Sequence, residues 1–177
     1  LKWVIPEAKY KILGTSRTDA MVSAGESAFE LFVDHEPLSN LDDFLELFNK
    51  NLPQDIRALH IEEVDANFNI IQHSKMKEYA YLFCFGKKYH PFCAPFMANF
   101  QEDLDIEKMK AGAKLFEGRH HFRNYSVRVS EKSTFERTIL RSEIVENTLY
   151  TANFFPQQSF VFHIHGNFAI ALRAEFS

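Results

Sequence analysis

Arg17 and Asp19 are the two residues with the clearest capacity for chemistry, set two apart in Gly14-Thr15-Ser16-Arg17-Thr18-Asp19-Ala20-Met21-Val22-Ser23-Ala24. A carboxylate beside a fixed guanidinium stays ionised and oriented, which gives Asp19 the character of a nucleophile or base and Arg17 that of its partner. The same pattern also suits a structural ion pair in a tight turn. A second candidate is His163-Ile164-His165, which on a strand turns both rings to one face as half of a metal site. No third ligand stands at a sensible spacing, so cleft or surface histidines fit that pair better.

Elements must hold these residues, and the apolar pattern supplies them. Tyr10 to Leu13 reads as a strand after an irregular lead, and Ala28 to Val33 as its partner beyond the Arg17/Asp19 loop. Ser39 or Asn40 can cap a helix whose first turn carries Asp42 and Asp43, where negative charge suits the helix dipole. Leu41, Phe44, Leu45 and Phe48 share one face of it, and it stops before Pro53. Ile56 to Val64 alternates weakly and reads as a strand, followed by a polar stretch over 65–75. Tyr79 to Phe85 is continuous and β-prone, as in a central strand covered on both faces. Gly86, Pro91 and Pro95 then break regular structure. Asp105 caps a second helix with Ile106, Met109, Ala113 and Phe116 on one side, and Gly118 ends it at a left-handed position. Two further strands are read at Arg137 to Asn147 and Phe160 to His165.

Composition bounds the class. The chain has 177 residues, 46% of them apolar, enough for a real core and for a single α+β domain over 1–177. A net charge of −4 makes no global case for a nucleic-acid partner. The local basic clusters are Lys75, Lys77, Lys87 and Lys88, then Lys108, Lys110 and Lys114, then Arg119, Arg123 and Arg128 with His120 and His121; they read as solvated surface. Cys84 and Cys93 read as reduced, buried thiols of a cytoplasmic protein. No apolar run has membrane length and no basic-then-apolar leader is present, so a soluble protein with no membrane partner is expected. The first residue is Leu1, which suggests sequence ahead of it. Nineteen phenylalanines call for an aromatic core or a stacking wall. For Phe83, Phe85, Phe92, Phe96 and Phe100, core packing is the expectation, and Phe154-Phe155-Pro156 reads as a turn with a packed pair.

Five motifs in order resemble the TruA-type tRNA pseudouridine synthase family. The loop from Gly14 to Ala24 is similar to its Gly-x-x-Arg-Thr-Asp-x-Gly-Val-His/Ser-Ala, and Phe48-Asn49-Lys50-Asn51-Leu52-Pro53-Gln54-Asp55-Ile56 to its Leu-Asn-x-x-Leu-Pro-x-Asp-Ile. Lys77-Glu78-Tyr79-Ala80-Tyr81 resembles its Arg-x-Tyr-x-Tyr strand. Leu104 to Met109 with Gly118-Arg119-His120-His121-Phe122 resembles the helix that ends in Gly-x-His-Asp-Phe, and Arg137-Thr138-Ile139 its Arg-Thr-Ile. Gly166 to Arg173 looks like its C-terminal Gly-x-x-Phe-Leu-x-x-Met-Val-Arg, one residue short on each side of Phe168.

The resemblance implies a pseudouridine synthase fold, a central mostly antiparallel sheet flanked by helices with an RNA-binding cleft. It also implies a chain lacking the family's first strand and helix and its final helix. The implied activity is isomerisation of uridine in the anticodon stem-loop of tRNA by a cytoplasmic homodimer, with no cofactor, metal or DNA. Asp19 takes the place of the catalytic aspartate, and Arg17 that of the arginine that pairs with it and fills the space of the flipped base. Tyr79 takes that of the tyrosine stacked on the uracil, with Thr18 and Arg173 as further substrate-binding positions. Met21 stands at a family glycine, Ile71 at an arginine and His121 at an aspartate, while Glu78 and Ala80 leave the Tyr79 strand less basic. These departures keep open an RNA-binding paralogue with weak or no catalysis.

Overall fold

The computed structural model describes residues 1–16, 18–20, 22–34, 38–74, 76–125 and 135–167. They fall into two compact units, Leu1–Ser74 and Lys75–Ser177.

In the first unit, β1 (Tyr10–Gly14) and β2 (Phe29–Val33) form an antiparallel hairpin running from Tyr10 opposite Val33 to Gly14 opposite Phe29. Helix α1 (Leu41–Lys50) follows. Asn40 caps it, its Oδ1 accepting from the Asp42 and Asp43 N–H groups at 3.0 and 3.2 Å while its Nδ2 donates to Asp43 at 2.7 Å. Two otherwise orphaned helix donors are thereby satisfied. Phe44 and Phe48 are buried with ring centroids 5.7 Å apart, and Phe48 meets Phe29 of the hairpin at 6.1 Å. The apolar face read from the sequence is the face that packs.

Ile56 to Val64 is not a strand. The Asn49 side chain binds both backbone groups of Ala58, donating to its carbonyl at 2.9 Å and accepting from its N–H at 2.8 Å. Those are the groups a ladder would have used. The polar stretch after it holds a short helix, α2 (Ile70–His73), capped by Asn69. The buried Glu30 of β2 accepts from the Ile70 N–H at 3.2 Å and ties this turn to the hairpin.

The second unit is built on five strands, β3 (Lys77–Phe85), β4 (Ala98–Phe100), β5 (Gly118–His121), β6 (Glu136–Glu146) and β7 (Phe160–Gly166). Their order is β4-β3-β7-β6-β5, with only the β3/β4 pair parallel. With α3 (Ile106–Lys114) against it, this is a mixed, mostly antiparallel α+β arrangement, consistent with the pseudouridine synthase fold. Phe83, Ile144 and Phe160 pack with Ala113 of α3, and Ile106 and Met109 join them. Phe83 retains 2% of its surface; full burial of such a ring stabilises by roughly 1.5–3 kcal/mol.

A second cluster, Cys84, Cys93 and Met97, lies under Tyr89, Phe154 and Phe155, and both thiols are free and buried. The third joins Phe122 and Ile139 with Tyr79, Phe116 and Ile164.

Four expectations are corrected here. β3 is covered on both faces only near Phe83 and Cys84, since Glu78 and Ala80 are exposed. β4 and β5 fall where no strand is expected from the apolar pattern: β4 is three residues long, and β5 is an exposed Gly-Arg-His-His. α3 ends at Lys114, so Gly118, at φ +103°, forms the corner into β5 rather than the helix cap. Phe92 and Phe96 are exposed instead of joining Phe83, Phe85 and Phe100 in the core. Among the described residues no helix is long and apolar enough to cross a membrane.

Candidate active site

The hairpin delivers the Gly14–Ala24 loop. Thr15 N–H donates to the Ala28 carbonyl at 3.0 Å and the Thr15 and Ser27 hydroxyls lie 3.4 Å apart, so the ladder continues one step past the strands before the loop opens. Beyond it Thr18 and Asp19 are exposed. The Asp19 carbonyl accepts from the Val22 N–H at 3.2 Å, which closes a tight turn beginning at the candidate carboxylate. Arg17 and Met21 lie outside the described residues, and so do Arg173 and its neighbours from 168 onward. An open hollow of about 230 Å3 between Val4, Ile5 and the start of α1 contains none of the expected site residues.

Tyr79 belongs to the second unit, on β3 opposite Ile164 of β7. It is half-buried, packed on Phe122 and Ile139. Burial raises its phenol above the ordinary value of 10.0, so the ring carries an un-ionised hydroxyl at neutral pH. A half-buried, uncharged aromatic ring can offer a face to a planar heterocycle.

One feature beside Tyr79 escaped the sequence. Glu78 Oε1 accepts from His163 Nδ1 at 3.0 Å, and the His163 side chain is only 12% exposed. The two residues are 85 apart in the chain. The strand register that joins them cannot be read from either segment alone, although an acid next to the tyrosine and an H-x-H strand were both visible. The pair fastens β3 to β7 on the face away from Tyr79, because successive strand residues point to opposite sides. With His163 engaged by Glu78, among the described residues no group of three or more His, Cys, Asp or Glu side chains is arranged to hold a metal.

The departures from the family pattern have ordinary positions. Ile71 is exposed on α2, and the exposed His121 of β5 meets the Phe135 ring at 5.5 Å.

No family model matches the chain. Curated proteins do. A "tRNA pseudouridine synthase A 2" of Bacillus thuringiensis subsp. konkukian is 30% identical over 141 residues, 77% of this chain and 55% of the relative. A "tRNA pseudouridine synthase A 1" of Protochlamydia amoebophila is 32% identical over 148 residues, 81% and 57% respectively. A "tRNA pseudouridine synthase A" of Clostridium kluyveri is 33% identical over 129 residues, 72% and 52%. The chain thus spans a little more than half the length of the relatives it matches. Sustained identity of this order across some three quarters of its residues, with the motifs in family order, makes the chain similar to the TruA-type pseudouridine synthases.

Proposed function

We propose that the chain is the catalytic domain of a tRNA pseudouridine synthase acting on uridines in the anticodon stem-loop. The carrying observation is the 30–33% identity to proteins named tRNA pseudouridine synthase A, together with Arg17-Thr18-Asp19 and Tyr79 at the family's functional positions. The reaction breaks the C1′–N1 bond of uridine, turns the uracil and joins its C5 to C1′; the C5 proton leaves and N1 gains one. It is redox-neutral and intramolecular, so carboxylate and pocket suffice in principle and no cofactor is assigned.

The base must first leave its stack, at a cost of a few kcal/mol that stacking and hydrogen bonds in a pocket offset. In this reading Arg17 fills the vacated space and orients Asp19, and Tyr79 supplies the stacking face. Thr18 and Arg173 contact the substrate. Asp19 acts ionised, on C1′, on C2′–H or on C6. The exposure of Asp19 supports access by a large substrate, and the bond from the Val22 N–H to its backbone carbonyl supports a defined turn at that position. Work as a cytoplasmic homodimer that takes tRNA and not DNA belongs to the same proposal.

The test is Asp19→Asn, assayed by tritium release from 5-labelled uridine in bulk tRNA. Release is expected to vanish while the unfolding midpoint and tRNA affinity stay near wild type; release that survives assigns the chemistry elsewhere. A second reading, an RNA-binding paralogue with little catalysis, is favoured by Met21 at the family's glycine and by the net charge of −4. It predicts tRNA binding by the wild-type chain without any release.

A further inference from the structure

The segment between β3 and β4 holds two phenylalanines that the core does not use. Cys93 and Met97 are buried, and the Cys93 thiol donates to the Phe154 carbonyl at 3.1 Å. The His90 Nδ1 accepts from the Phe92 N–H at 3.3 Å, closing the short helical turn at Pro91–Cys93. Each buried anchor is preceded by a ring that stays outside: Phe92 is 65% exposed and Phe96 57%. Phe154 underlies both, 5.7 Å from Phe92 and edge-on, 6.5 Å from Phe96. The rings are therefore held by a fastened turn and left open to solvent.

The same segment carries Lys87 and Lys88, both exposed and, among the described residues, in no ion pair. The Lys87 ammonium lies 6.0 Å over the Tyr89 ring. Exposed aromatic faces and unneutralised ammonium groups carried on one segment match single-stranded nucleic acid, whose bases stack and whose phosphates need cations. A second copy of the chain suits the surface less well, since two-fold pairing through this turn would bring the same lysines toward each other.

We propose that Phe92 and Phe96, with Lys87 and Lys88, form a second RNA contact surface on which unpaired bases of the substrate stack. It is distinct from Tyr79, which packs in the cluster of Phe122 and Ile139, and it rests on the RNA-modifying reading above. Its role is to hold RNA, with no part in the isomerisation.

The test uses the full chain, a labelled single-stranded oligouridylate and a labelled RNA duplex, with affinity read by fluorescence polarisation across salt. F92A/F96A is expected to lose about tenfold or more on the single strand, from stacking lost at two bases, and to keep its duplex affinity within about twofold. F92W/F96W is expected to restore binding, with tryptophan emission quenched on RNA addition. K87A/K88A is expected to weaken both RNAs and flatten the salt dependence. Measurable RNA binding that F92A/F96A leaves unchanged overturns this surface alone. Failure of the wild-type chain to bind either RNA overturns it together with the RNA-modifying reading. Conversion of a dimer to a monomer by F92A/F96A, at unchanged RNA affinity, overturns it in favour of self-association.

Discussion

Tyr79 combines two demands in one side chain, packing on Phe122 and Ile139 and the proposed stacking face for uracil. Substitutions can separate them. Tyr79→Phe keeps ring and volume, so wild-type stability and an activity within about tenfold of wild type are expected. Tyr79→Leu keeps most of the packing but removes the ring; kcat/KM should fall by roughly 10- to 100-fold, the worth of one base–aromatic stack. Steady-state kinetics beside a urea melt checks both, and equal loss in the two variants would assign the effect to the hydroxyl. At this scale the sequence was informative about identity and silent about environment. Asp19, Thr18 and Tyr79 were legible as candidates because their motifs are local. The grip of Glu78 on His163, the burial of Glu30 and the exposure of Phe92 and Phe96 depend on partners 40 to 85 residues away, or on which side of a turn is anchored.

Elements with a local signature were the readable ones. α1 and α3 announce themselves by Asn40 and Asp105 caps and by 3.6-residue apolar spacing, and β7 by an unbroken apolar start. β4 and β5 have no signature, since their pairing is imposed by longer neighbours. Ile56 to Val64 had a weak signature, and in its midst Ala58 gives both backbone groups to the Asn49 side chain. The end of β7 shows how tightly the sheet is closed. A Cβ on Gly166 would sit 2.6 Å from the Thr138 carbonyl oxygen and 3.1 Å from Ile139 Cα, beside the register shift between Ile139 and Arg141. Neither neighbour is a flexible side-chain end. Gly166→Ala is expected to lower the unfolding free energy by about 1–3 kcal/mol, as overpacking does. A urea melt with an unshifted midpoint would mean that the strands can part there without loss.

Across the whole molecule the ionisable groups set a pH window. Burial raises Cys84, Cys93, Tyr79, Tyr81 and Tyr89, so the unfolded chain ionises first as pH climbs. Stability linked to these groups is complete below the ordinary thiol value of 9.0 and is lost as pH rises through the folded values. The carboxylates act oppositely. Lys114 holds Glu117 low and Arg141 holds Glu143 low, so their contribution is present above the ordinary value of 4.5 and fades as pH falls through the folded values. Urea midpoints measured against pH should therefore fall on both sides of a neutral plateau, and a midpoint that rises above pH 9.0 would contradict the alkaline limb. The strand order was illegible at this scale, because β7 inserts between β3 and β6, which precede it in the chain. Glu117 has one more consequence. Its carboxylate accepts from the Ser142 N–H at 2.9 Å, on the side of β6 that β5 leaves uncovered beyond Ile139. Ser142 is fully buried, so this amide has no water to turn to and needs a partner inside the protein. The Glu117 carboxylate is that partner, so the bond that ties the turn after α3 to the sheet also spares β6 the cost of a buried, unsatisfied backbone donor.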